Sequence, residues 1–93
     1  RNENIQLREQ LAFELNKINI PCDRSFANFL LLRFRNQALA ESAEQFLNKN
    51  GILVRSVGNY GLENALRISI GTAGDCERVR ETLTYFQENN HAL

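Results

Sequence analysis

The chain has 93 residues, and its 11 lysines and arginines balance its 11 aspartates and glutamates, so the formal net charge is zero at pH 7. This length supports one small domain with a single core. A neutral chain creates no large field that would attract nucleic acid or an acidic membrane surface. No stretch approaches the roughly 18 consecutive apolar residues that span a bilayer. We therefore expect neither nucleic acid nor membrane as a partner.

The first predicted element is an amphipathic helix over most of residues 1–16. Its apolar positions recur at spacings of four, four and three, which keeps them on one helical face. These positions are Leu7, Leu11, Leu15 and Ile18. Because the sequence starts inside this helical pattern and contains no methionine, we expect it to be an excised piece of a longer protein.

A short extended segment, a buried strand and a second helix come next. The residue before a proline avoids the helical region, so the chain is predicted to turn through Ile18–Pro21 in a short extended stretch. Asn28–Phe34 is almost continuously apolar and too short for a helix, which is typical of a buried strand. A helix over residues 37–50 follows, and Asn-Gly at its end is a common stop signal. Its apolar stripe consists of Leu39, Ala43, Phe46 and Leu47.

Two strands that each carry one arginine follow the second helix. Gly51–Arg55 is a short apolar run, and Leu66–Thr72 alternates large apolar residues with Arg67 and small residues. This alternation assigns Leu66, Ile68 and Ile70 to a core face, and Ala65, Arg67, Ser69 and Gly71 to the opposite face. Such an arginine could line an anion-binding cleft. From this strand alone, a guanidinium that pairs with a neighbouring carboxylate or points into water is the simpler interpretation.

A symmetric hairpin would bring the two arginines together. The loop between the strands, residues 56–64, is centred near Gly61, and antiparallel pairing about that glycine places Arg55 opposite Arg67. The residues that this pairing adds to the core face are Ile52 and Val54. Like charges placed directly opposite destabilise a sheet, so we expect a negative group between the guanidinium groups. A protein carboxylate or a bound acidic ligand would meet this requirement.

The last predicted element is a helix that begins with a capping box at Thr72–Asp75. Its buried stripe consists of Cys76, Val79, Leu83 and Phe86. Neither Cys76 nor Cys22 has a cysteine or histidine nearby at metal-ligand spacing. We therefore expect two reduced, buried thiols in a cytoplasmic protein, and no metal site.

The order of elements is helix, short strand, strand, helix, strand, strand, helix. Helices with one apolar stripe and strands with one apolar face predict a two-layer α/β sandwich, with a mostly antiparallel sheet of three to four strands and helices on one face. A helical crossover links Asn28–Phe34 to the strand that begins at Gly51, so these two strands are expected to run parallel. The sheet face with the arginines must be solvated or docked on another surface.

Five segments of the sequence form a recognisable series in order and spacing. They are Ser25–Leu30, Arg33–Phe34, Asn50–Arg55, Tyr60–Leu62 and Leu66–Thr72. Together they resemble the C-terminal small domain of the histidinol-phosphate aminotransferases, which are fold-type I enzymes that use pyridoxal phosphate. The combination of GILVR, YGL and LRISIGT is the specific part of this likeness, which extends over essentially all of residues 1–93.

The resemblance implies a substrate-binding role for the two arginines. Arg67 matches the arginine that binds the substrate's acidic group, and Arg55 matches a second arginine that helps to hold the same anion. The intact enzyme would transfer an amino group between glutamate and imidazole acetol phosphate in histidine biosynthesis. The anions bound in turn would be the α-carboxylate of glutamate and the phosphate of histidinol phosphate. Such enzymes usually act as homodimers, and the small domain would adjoin its own N-terminal large domain.

The chain lacks the groups that the chemistry of pyridoxal phosphate needs. These are a lysine that forms a Schiff base, an acidic partner for the pyridine nitrogen and a phosphate-binding cup. Lys17 and Lys49 are the only lysines in the sequence, and both are predicted to lie on the surface near helix ends. The family places the missing groups in the large domain. We therefore assign no catalytic or cofactor-binding residue to this chain and expect it to be inactive alone.

Other interpretations stay open. A related enzyme of the same cofactor class, an aromatic aminotransferase or a threonine-phosphate decarboxylase, is the nearest alternative, although YGL and LRISIGT favour the histidine-pathway family. A stand-alone α/β module that binds a small ligand would need a βαββαβ order, whereas this chain opens with a helix. Tyr60 lies in the loop between the arginine strands and could contact substrate, contact the large domain or simply pack within the loop.

Overall fold

Three helices and a four-stranded antiparallel sheet make up the structure, a computed structural model that describes residues 2–24, 29–58 and 61–90. The helices are α1 (Asn2–Lys17), α2 (Gln37–Lys49) and α3 (Ala73–Asn90), and the strands are β1 (Cys22–Arg24), β2 (Phe29–Arg33), β3 (Val54–Val57) and β4 (Leu62–Ser69). The strands lie in the order β1-β2-β4-β3, and every neighbouring pair is antiparallel. The predicted two-layer α/β sandwich is confirmed.

One hydrophobic core lies between the helices and one face of the sheet. Across β2 and β4, Leu30 pairs with Ile68 and Leu32 pairs with Leu66, and all four side chains are buried. The helices complete this core with Leu11, Leu15, Ala43, Leu47, Val79, Leu83 and Phe86. Removing this apolar surface from water is the main force that stabilises the fold. The predicted apolar stripes therefore face the core as expected.

Two helices begin with a side-chain cap. The Leu39 N–H donates to Asn36 Oδ1 at 2.8 Å at the start of α2. The Asp75 N–H donates to Thr72 Oγ1 at 3.0 Å at the start of α3, as the capping-box pattern predicts. These bonds satisfy backbone donors that have no partner within the helix. At the other end of α2, Gly51 has φ +80°, a conformation that glycine adopts without a steric penalty.

The chain turns at Ile18–Pro21 as predicted, but the first two residues of this segment are not extended. Helix α1 continues to Lys17, and Ile18 and Asn19 form a turn. The Ile20 N–H donates to the Leu15 carbonyl at 3.0 Å, which closes the helix end, and Asn19 takes a left-handed φ of 69°. Proline disfavours the helical region only for the residue before it, which is Ile20, so it does not require Ile18 and Asn19 to be extended. The short strand, β1, begins after the proline, at Cys22.

The hairpin between β3 and β4 is tighter than the predicted loop over residues 56–64. Strand β3 continues to Val57 and β4 already begins at Leu62, where these two residues pair after a register irregularity. The expected parallel relation between β2 and β3 holds in direction, because both run antiparallel to β4. The two strands are not neighbours, since β4 lies between them.

Both cysteines carry free thiols, as expected, but each is only partly buried. Burial, with a smaller contribution from Asp23, raises the pKa of the Cys22 thiol to about 12. Burial also raises the pKa of Cys76, and the nearby carboxylates of Asp75 and Glu14 add to this effect. The neutral thiol is therefore the favoured form of both side chains near neutral pH.

We expect both thiols to react slowly with iodoacetamide at pH 8 in the folded chain, because the thiolate is the nucleophile. A pKa of about 12 for Cys22 leaves on the order of a thousandfold less thiolate than its ordinary value of 9.0. Mass spectrometry of a labelling time course, with the urea-unfolded chain as control, measures the two rates. Equal rates in folded and unfolded chains would contradict these environments.

We expect Leu83→Ala to destabilise the 93-residue chain by about 2–5 kcal/mol, because Leu83 is fully buried and its truncation leaves a cavity. The matched control is Leu53→Ala, since Leu53 is 88% exposed and should change the free energy of unfolding by less than about 0.5 kcal/mol. Urea unfolding of the two variants makes the comparison. A smaller loss of unfolding free energy in Leu83→Ala than in Leu53→Ala would contradict the burial of Leu83 in the core.

Candidate functional site

The two arginine strands pair in the predicted register. Arg55 lies opposite Arg67, with Val54 opposite Ile68 on one side and Ser56 opposite Leu66 on the other. In an antiparallel pair, directly opposite side chains project from the same face with Cβ atoms about 4.5–5.5 Å apart. Both arginines therefore project from the sheet face that the helices leave uncovered.

No carboxylate among the residues that the structure describes forms an ion pair with Arg55 or Arg67. Arg33 projects from the same face and shows the contrast, because its Nε lies 2.6 Å from Asp23 Oδ2. The facing charges need either a protein carboxylate or an acidic ligand between them, and the described residues do not supply the carboxylate.

Both arginines line one groove at the β3 edge of the sheet. We call it the arginine groove and define it by Leu53, Arg55, Arg67, Ser69, Asp75 and Arg78. Three arginines and one aspartate are among the residues that line it, so these charged residues carry a net positive charge although the chain as a whole is neutral. Arg55 is exposed and Arg67 is half-buried, which leaves their donors accessible to a ligand from solvent.

Arg78 stabilises the wall of the arginine groove. Its Nη2 donates to the Asn50 carbonyl at 2.8 Å, which ties α3 to the end of α2. A Cβ on Gly51 would lie 3.3 Å from the same nitrogen, so the glycine gives this side chain room. Arg78 already has a partner and therefore has less donor capacity for a ligand than Arg55 and Arg67. The sequence pattern contained no signal for this contact.

Phe29 contacts Arg67 on the open face of the sheet. The guanidinium carbon of Arg67 lies 5.0 Å from the centroid of the Phe29 ring, which is within the range of a cation–π interaction. Sequence reasoning missed this residue, because β2 and β4 are distant in the sequence and their register decides which side chains meet. The only available signal was an aromatic residue at the start of a predicted strand.

The two lysines of this chain do not fit the Schiff base that pyridoxal phosphate needs. Neither lysine lines the arginine groove. Lys17 lies at the end of α1 with its Nζ 4.6 Å from the centroid of the Phe13 ring, and Lys49 is exposed in the last turn of α2. The prediction of two surface lysines is confirmed. In this arrangement neither amine could form a Schiff base beside the two arginines.

Tyr60, which the sequence places in the loop between the arginine strands, lies outside the described residues. Within the described ranges, no group of three or more histidine, cysteine or acidic side chains could hold a metal ion. No helix in the same ranges is long and apolar enough to cross a membrane.

Known proteins resemble this chain in both sequence and structure. A histidinol-phosphate aminotransferase from Roseobacter denitrificans is 46% identical over 85 residues, which cover 91% of this chain and 24% of that protein. A histidinol-phosphate aminotransferase from Ruegeria pomeroyi is 40% identical over 88 residues, which cover 95% of this chain and 24% of that protein. A crystal structure from Burkholderia pseudomallei, provisionally described as an aminotransferase, superimposes with a TM-score of 0.79 at 31% identity and covers 90% of this chain and 25% of that chain.

The chain thus spans about a quarter of the length of the curated relatives it matches. The family model for "Aminotransferase class I and II" matches residues 1–83, which is most of the sequence. The chain belongs to the class I and II aminotransferase family.

Proposed function

We propose that this chain is the C-terminal small domain of a histidinol-phosphate aminotransferase, and that the arginine groove binds the acidic group of its substrates. The observation that carries this proposal is the facing pair Arg55 and Arg67, which share one open groove with no ion-pairing carboxylate among the described residues. The names and the 40–46% identities of the relatives support the specific reaction.

The chemistry of the guanidinium group suits both substrates. Its planar fork of N–H donors binds a carboxylate or two phosphate oxygens through two parallel hydrogen bonds, whereas lysine offers only a point charge. One arginine would match the single negative charge of the α-carboxylate of glutamate. Two arginines together also suit the nearly doubly charged phosphate of histidinol phosphate. A site that must accept the two anions in turn therefore benefits from the pair.

The rest of the protein would supply the cofactor. Pyridoxal phosphate, which enzymes of this family generally use to carry the amino group, would be bound by the large domain, because the lysines of this chain lie away from the groove. The residues of this chain would bind and orient the substrate. We further propose that the 93-residue chain is inactive alone, and that the intact protein is a cytoplasmic homodimer.

We expect Arg67→Lys in the full-length protein to slow the half-reactions with glutamate and with histidinol phosphate by about ten- to a hundredfold. Loss of a charge-assisted hydrogen bond costs about 1.5–3 kcal/mol, and lysine cannot reproduce the bidentate contact. Stopped-flow absorbance of the cofactor measures both half-reactions. The cofactor spectrum of the resting enzyme should not change, since the residue does not hold the cofactor.

The matched control for this experiment is Arg33→Lys. Arg33 projects from the same sheet face but forms an ion pair with Asp23, so both half-reactions should keep their rates. Unchanged rates in the Arg67→Lys variant, or equal losses in the two variants, would remove Arg67 from the substrate site.

A further inference from the structure

Arg67 and Phe29 are diagonal neighbours on the open face of the sheet. Phe29 pairs with Ser69 across β2 and β4, and Arg67 pairs with Leu31, so ring and guanidinium start two residues apart on adjacent strands. Aromatic and long side chains reach each other across this diagonal. The guanidinium carbon lies 5.0 Å from the ring centroid, and both side chains are half-buried.

A long arginine side chain needs a partner to keep one orientation, because it has several rotatable bonds. Arg67 gains none from Arg55, which carries the same charge directly opposite. No carboxylate of the described residues pairs with it either. The ring of Phe29 is an attractive partner because the negative face of its π-system draws a cation.

An acidic partner would hold Arg67 in a different way, as Arg33 shows. Asp23 accepts from the Arg33 Nε at 2.6 Å, and a carboxylate in that position occupies donors of the guanidinium fork. The same contact at Arg67 would compete with a substrate anion for those donors. A benzene ring has no oxygen acceptor and no net charge, so it can attract the cation without that competition.

We propose that Phe29 is a positioning residue that holds the Arg67 guanidinium in place for the acidic group of the substrate. This inference rests on the proposed function, because it assumes that Arg67 binds substrate. It goes further in assigning the orientation of that arginine to an aromatic ring on the neighbouring strand. Phe29 itself needs no contact with the substrate.

The test uses the full-length protein with Phe29→Leu and Phe29→Met, which remove the ring and keep an apolar side chain. We expect both to raise the concentrations of glutamate and of histidinol phosphate that give half-maximal half-reaction rates, by about three- to tenfold. Phe29→Tyr keeps the ring, so its half-maximal substrate concentrations should stay within about twofold of those of the parent protein. The cofactor spectrum and the thermal midpoint show that each variant is folded.

Phe13→Leu is the control that removes a cation–π contact elsewhere in the chain. Phe13 makes the same kind of contact with Lys17 at 4.6 Å on α1, away from the arginine groove. This variant should leave both half-reactions unchanged. Loss of substrate affinity in Phe13→Leu equal to that in Phe29→Leu would overturn the assignment to Arg67.

A double-mutant comparison separates positioning from general packing. In an Arg67→Ala background, Phe29→Leu should add less than about a twofold effect, because the side chain that it positions is gone. The same loss in both backgrounds, or parent-like kinetics for Phe29→Leu alone, would overturn this inference and leave the proposed function standing. Parent-like kinetics for Arg67→Ala itself would refute the proposed function, and the inference with it.

Discussion

The pairing of Arg55 with Arg67 across β3 and β4 creates the electrostatic condition on which the proposed site depends. Directly opposite side chains leave the sheet within about 5 Å of each other, well inside the screening distance of about 8 Å at physiological ionic strength. Like charges on directly opposite residues destabilise a sheet, and the described part of the chain offers the two arginines no ion-paired carboxylate. In the proposed function, an acidic metabolite bound between the two guanidinium groups would replace this repulsion with two attractions.

The hydrophobic core fixes where these charges project. Leu66 and Ile68 flank Arg67 and are buried on the helix-covered face, so strand alternation sends Arg67 to the open face. A slip of one residue in the pairing of β4 would move its whole apolar set out of the core and bury the guanidinium. The register that packs the core is thus the register that exposes the arginine, so the fold and the proposed site depend on the same strand pairing.

The spacing of residues along the sequence was sufficient to predict the helices, the buried stripes and the pairing of Arg55 with Arg67. Gly61 lies midway between the two arginines in the sequence and takes a left-handed φ of +82°. The hairpin itself is not symmetric about Gly61, because Val57 pairs with Leu62 after a shift in register. The contact between Arg67 and Phe29 could not be found in this way. It depends on β4 lying between β2 and β3 and on the register of β2 with β4, and periodicity within a strand carries no information about either.

The central claim is that both guanidinium groups bind one anion. A crystal structure of the full-length protein with bound histidinol phosphate tests it most directly. The account predicts that Arg55 and Arg67 both donate hydrogen bonds to the phosphate, at N···O distances of about 2.7–2.9 Å. A structure in which the two side chains point apart, or in which carboxylates from the rest of the protein pair with both, would contradict it.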